Sequence, residues 1–107
     1  MKDQEIIISG VHIDLTDSLK DIVSEKVRKL FNHDRKIIRV RVTLEMSKNK
    51  AHQDEFIAHG HIDIGGPDIE AKAATEDLYK SIDAMVNKLN RQLVDSIKIE
   101  NEKRKHP

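Results

Sequence analysis

Apolar residues recur along this chain with two periods, about 3.6 and 2, and the switching between them sets out its elements. From Thr75 to Ile97, Leu78, Ile82, Met85, Val86, Leu89 and Leu93 repeat at spacings of three and four, which places them on one side of a helix. Thr75 is its expected N-cap, with Glu76 and Asp77 in the first turn, where carboxylates answer the partial positive charge of a helix start. An earlier helix is expected after Thr16, a second N-cap candidate, with Leu19, Ile22, Val23, Val27 and Leu30 as its stripe to about Phe31. Strict alternation from Ile37 to Met46 predicts a strand with Ile38, Val40, Val42, Leu44 and Met46 on one face and Arg39, Arg41, Thr43 and Glu45 on the other. The same period returns in Phe56, Ala58, Gly60, Ile62 and Ile64, and more briefly in Ile69, Ala71 and Ala73. A β-branched run, Ile6 to Ile8, closed by Gly10, predicts a first strand over Glu5 to Ser9.

The breaks between these segments complete the order. Asn32, His33 and Asp34 interrupt the pattern, Ser47 to Asp54 is polar, and Gly65-Gly66-Pro67-Asp68 is a turn signal. The elements therefore run β-α-β-β-β-α. Strands one and two, joined through a helix, can be parallel, whereas the short turns between strands two, three and four require an antiparallel meander. A right-handed crossover and a single apolar face on the strands put both helices on one side. The expected fold is an α+β two-layer sandwich with a four-stranded mixed sheet and both helices on one face.

Composition narrows the function. At 107 residues, 37% of them hydrophobic and only three aromatic, the chain reads as one domain with a small aliphatic core. No cysteine is present, so thiolate metal sites and disulfides are excluded. The charged start, Met1 to Glu5, leads into a three-residue isoleucine run far short of a signal or membrane segment, so a cytoplasmic protein is expected, with no membrane partner. No nucleophile with a positioned base, phosphate-cradling loop or paired acid is evident, and a non-catalytic role with no cofactor and no small-molecule substrate is expected.

Net charge is zero, but the charges are segregated. Residues 20–41 hold eight Lys or Arg against three Asp or Glu, and residues 80–107 hold seven against four; residues 42–79 reverse this, three against eight. Two basic segments that meet in space make a positive surface suited to an anionic partner. In the last helix Lys80, Lys88, Arg91 and Lys98 fall on a flank away from the apolar stripe, and Asp83 on the other flank. In the first, Lys20 and Arg28 face outward, Lys29 lies at a margin, and Lys26 falls inside the stripe, either snorkelling past the core edge or held there to meet a phosphate. Tyr79 reads as a half-buried packing residue rather than a stacking platform. His59 and His61 share a strand face with Asp63, and His52 is near in sequence, but a lone His-x-His pair on a polar face is ordinarily solvated and no metal is expected.

The run Ala73-Ala74-Thr75-Glu76-Asp77-Leu78-Tyr79-Lys80-Ser81-Ile82-Asp83, continued by Asn87-Lys88-Leu89-Asn90-Arg91-Gln92-Leu93, resembles the signature of the ribosome hibernation-promoting factor and ribosome-associated inhibitor family. Leu15 to Lys20 and Lys26 to Leu30 resemble the corresponding first helix, and the likeness runs from Ile6 to Leu93. It implies a stoichiometric binder of the small ribosomal subunit and its ribosomal RNA, seated in the decoding channel over the messenger and transfer RNA sites and holding ribosomes idle under stress. It also implies RNA contacts at Lys20, Lys26, Lys29, Lys88 and Arg91, to which the charge pattern adds Arg28, Lys80 and Lys98. The chain departs from the family where Asp95 and Ile97 stand in place of the lysines that similar proteins often carry. Residues 1–97 are the expected ribosome-binding domain and 98–107 a charged tail, the organisation of a short form. A monomer is expected in isolation, and a homodimer becomes available if the fourth strand is an open edge, which the sequence does not decide. The competing readings are a general double-stranded-RNA-binding module and a metal-binding protein using His59 and His61.

Overall fold

The β-α-β-β-β-α order is realised in full. The computed structural model describes residues 5–32, 37–65 and 68–105, with side chains described through residue 96. Strand β1 (Glu5–Val11) leads to α1 (Asp17–Arg28), which tightens into a 3₁₀ turn over Lys29–Asn32. Then come β2 (Arg39–Lys48), β3 (Asp54–Asp63), β4 (Ile69–Thr75) and α2 (Leu78–Lys105). The sheet order is β1-β2-β3-β4, with β1 parallel to β2 and the other pairs antiparallel. This is the expected mixed sheet, and both helices bury their stripes in one core with the inward residues of the strands. Among the described residues no helix is long and apolar enough to cross a membrane.

The core is aliphatic. Leu19, Val23, Val27 and Leu30 from the first helical segment and Ile82, Met85, Leu89 and Leu93 of α2 share one buried cluster with Val40, Val42 and Leu44 of β2 and with Ala58, Ile62, Ala71 and Ala73 of β3 and β4. Small residues on β3 and β4 let α2 come close. A Cβ on Gly60 would lie 2.6 Å from Leu89 Cδ1 and 2.9 Å from Met85 Sδ.

Local expectations hold at α1 and shift elsewhere. Thr16 caps α1, its Oγ1 accepting from the Leu19 N–H at 3.1 Å. At α2, however, the cap is Asp77, not Thr75: Asp77 Oδ1 accepts from the N–H groups of Tyr79 at 2.8 Å and Lys80 at 3.2 Å. Thr75 belongs to β4, and its hydroxyl is taken up by Asp77 N–H and by Ser81 Oγ, 2.8 Å away. Ser81, fully buried, donates onward to the Phe56 carbonyl at 2.7 Å, tying the helix start to β3. Ile38 is 52% exposed and Ile37 is buried in its stead. The pleat starts only at Arg39, so the alternation read back to Ile38 has no ladder to impose it. The last helix runs on to Lys105, past the Ile97 limit of the apolar pattern, through Glu, Lys and Arg residues of high helix propensity.

This packing ranks two substitutions. Leu89→Ala removes a fully buried side chain opposite Gly60 and should cost about 2–5 kcal/mol. Asp77→Ala removes a cap at the surface and should cost about 1 kcal/mol. Urea denaturation midpoints, at unchanged slope, check the order, and equal losses would contradict it.

Candidate nucleic-acid interface

The helices present their polar sides outward, over the layer that covers the sheet. Lys20, Arg28 and Lys29 are exposed at α1 and the 3₁₀ turn, and Lys80, Lys88 and Arg91 are exposed on α2. None of Lys20, Arg28, Lys29 and Arg91 forms an ion pair with another described residue. Lys80 and Arg91 are eleven residues apart, about three turns, and project along one line of α2. Lys80 Nζ reaches Glu76 at 3.4 Å, an exposed i,i+4 pair of the kind that gives way readily to a stronger anion. A hydrogen bond to its own backbone, and then Lys80, hold the Glu76 carboxyl below its usual range.

Two of the expected cations are engaged inside the protein. Lys26 lies against the core edge, and its ammonium crosses to α2, 2.5 Å from Asp83 Oδ1. The lysine inside the apolar stripe is therefore an interhelical tie. Lys88 leaves the line of Lys80 and Arg91 and drops over the side of the sheet, where its Nζ donates to the Lys72 carbonyl of β4 at 2.9 Å. Gln92 Nε2 does the same to the Glu70 carbonyl at 2.7 Å. These interactions escaped sequence reasoning, although the placement of Asp83 on the flank away from Lys88 hinted at the first. The side chain of Lys98 lies outside the described residues. Tyr79 is 50% exposed on α2, half-buried as its place on the stripe margin suggested.

The opposite face of the sheet carries a different set of charges. Register places Arg41 beside His61, and His61 beside Glu70. His61 Nε2 lies 3.0 Å from Asp63 Oδ1 and 3.0 Å from Asp68 Oδ2, and Nδ1 lies 3.3 Å from Glu70 Oε1. His59 Nε2 approaches the same Glu70 oxygen at 3.1 Å. The hydrogen bond that His61 makes to Asp68, and after it Glu70 and Asp63, raise the His61 pKa against the opposing effects of burial and of Arg41. His52 sits in the β2–β3 turn with φ 61°, outside this cluster. Among the described residues, His61, Asp63 and Asp68 form the one grouping whose ligand atoms lie close enough to hold a metal, within 4.8 Å of one another. Arg41 at 3.2 Å and Arg39 at 3.8 Å already neutralise Asp63, and two guanidiniums beside that carboxylate oppose a cation. Glu5 continues the ladder, 3.1 Å from Arg39. Asp68 and Glu70 were not singled out from the sequence; the β3–β4 register sets Glu70 opposite His61.

Both the sequence and the fold have relatives among known proteins. A family model described as Sigma 54 modulation protein / S30EA ribosomal protein matches residues 6–98. A ribosome hibernation promoting factor of Azotobacter vinelandii is 37% identical over 90 residues, 84% of this chain and 79% of that protein. One from Escherichia coli K12 is 32% identical over 89 residues, 83% of this chain and 88% of that protein. Among solved structures, a ribosomal subunit interface protein from Coxiella burnetii has the same fold, with a TM-score of 0.76 at 22% identity, covering 89% of this chain and 99% of that one. The N-terminal domain of Thermus thermophilus Protein Y gives 0.72 at 23% identity, covering 85% and 96%.

The raised His61 pKa sets the sign of a pH effect. A histidine more basic in the folded than in the unfolded state stabilises fully below its ordinary value of 6.5, and that stabilisation fades as pH rises through the higher folded value. Urea midpoints of the wild type should therefore fall above pH 6.5 relative to those of His61→Gln. Parallel profiles for the two proteins would contradict this assignment.

Proposed function

The chain belongs to the Sigma 54 modulation protein / S30EA ribosomal protein family, and from that membership we propose that it is a ribosome hibernation factor acting in the cytoplasm. It binds the small ribosomal subunit through ribosomal RNA in the decoding channel, covers the messenger and transfer RNA sites, and holds the ribosome inactive by occupancy rather than by catalysis. Residues 1–97 form the binding domain and residues 98–107 a charged extension.

The observation that carries this reading is the outward side of the helical layer, where Lys20, Arg28, Lys29 and Arg91 are exposed and lack an ion pair with any described residue. Phosphates neutralise such cations and release condensed counterions, so binding is strong at low salt and carries no need to read bases. Folded RNA offers phosphate tracks and 2′-hydroxyls to a rigid surface of this kind. Lys80 joins them by exchanging Glu76 for a phosphate, and Lys98 continues the same helix. Lys26 contributes chiefly by holding α1 to α2 through Asp83, which keeps the two basic segments in one surface. Lys88 stands at the margin of the patch.

Co-sedimentation with purified small subunits across a salt series tests the assignment. The wild type should pellet at about one copy per subunit, fall off steeply with salt, and prefer the subunit to naked duplex RNA. Lys29→Glu with Arg91→Glu should bind more weakly and lower the salt slope by about one for each phosphate that is no longer neutralised. Wild-type protein that fails to pellet at low salt would overturn the ribosome reading. Unchanged pelleting of the variant would overturn the site.

A further inference from the structure

β4 is an edge strand, and edge strands offer unpaired backbone groups to any other extended chain. Here that edge is obstructed from within. The carbonyls of Glu70 and Lys72 face away from β3 and accept hydrogen bonds from Gln92 Nε2 at 2.7 Å and Lys88 Nζ at 2.9 Å. The match is geometric. Residues four apart on a helix rise about 6 Å, and residues two apart on a strand about 6.6 Å, so an i,i+4 pair of long polar side chains can clip successive outward carbonyls of an antiparallel neighbour. One step further along the same match the helix position is Ala84, which has no donor to offer, so the clip covers two carbonyls.

We propose that the free edge of β4 is a self-association surface kept shut by Lys88 and Gln92, and that its occupant, once the clip is withdrawn, is the β4 edge of a second copy of this chain. Charge selects that partner and its register. In a two-fold antiparallel pairing centred on Ala71, Glu70 of each copy stands opposite Lys72 of the other, giving two opposite-charge cross-strand pairs on the exposed face. The register centred on Lys72 would instead set two lysines against each other. The Ala71-centred register also brings the outward backbone groups of residues 70 and 72 into mutual hydrogen-bonding position, which are the same carbonyls that the clip occupies. The two sheets then become continuous.

The test removes the clip in the full chain. Lys88→Ala with Gln92→Ala, its fold checked by circular dichroism, is compared with the wild type by size-exclusion chromatography with light scattering over a concentration series. The variant should form dimers at a concentration at least tenfold below any at which the wild type does. Adding Lys72→Glu, which sets like charges opposite each other in the Ala71-centred register, should return it to monomer. If the alanine variant does not fold, Lys88→Met with Gln92→Met keeps the apolar stems while removing both donors. A folded variant that dimerises no more readily than the wild type overturns the proposal, and so does a dimer that Lys72→Glu leaves intact.

Discussion

The close approach of α2 to the inner face of β3 and β4 is the constraint on which the rest of this structure depends. Large residues on the helix, Met85, Leu89 and Leu93, meet small ones on the strands, Ala58, Gly60, Ala71 and Ala73. At Gly60 the two layers lie so close that even a methyl group would collide with Leu89 and Met85. Burial of a single leucine or methionine contributes about 1.5–3 kcal/mol, so this seam supplies a large share of a stability that is small in total. With few aromatics to fill space, a well-interlocked aliphatic seam is what a core of this size requires.

That proximity also determines what the flanks of α2 can touch. On one side Asp83 comes within reach of Lys26 on α1. On the other, Lys88 and Gln92 reach the outer carbonyls of β4. Were the helix a few ångströms further from the sheet, neither flank would find its partner, and all these side chains would be solvated. The line of α2 that carries Lys80 and Arg91 is what remains outward, and the proposed RNA surface is built from it and from the exposed cations of α1 and the 3₁₀ turn.

A chain with no net charge thereby acquires two electrically different faces. The acidic middle of the sequence folds into β3, β4 and their turns, where Asp63, Asp68 and Glu70 are balanced by Arg39, Arg41 and the two histidines. The basic segments supply the helical layer, where several cations have no ion pair with another described residue. Exposed ion pairs contribute little to stability, so the ladder on the sheet is better understood as neutralising that face than as holding it together. A positive field on one side alone orients the approach to a polyanion even when the total charge is zero.

By itself the sequence determined the element order, the mixed sheet, the inward residues of the strands and the cap of α1. Each of these is local or follows from connectivity: periods of 2 and 3.6, a threonine ahead of an apolar stripe, turns too short for a crossover. The segregation of charge and the family resemblance were legible for the same reason, since both are properties of contiguous runs. Only the tertiary structure decided that Asp77 caps α2, because Thr75 is claimed by the ladder and by Ser81. It alone decided that Ile37 and not Ile38 enters the core, that Lys26 is engaged by Asp83 and Lys88 by β4, and that Asp68 and Glu70 gather around His61. Those outcomes depend on strand register and on the distance between layers, which are set by packing among residues far apart in the chain and leave no periodic trace in it.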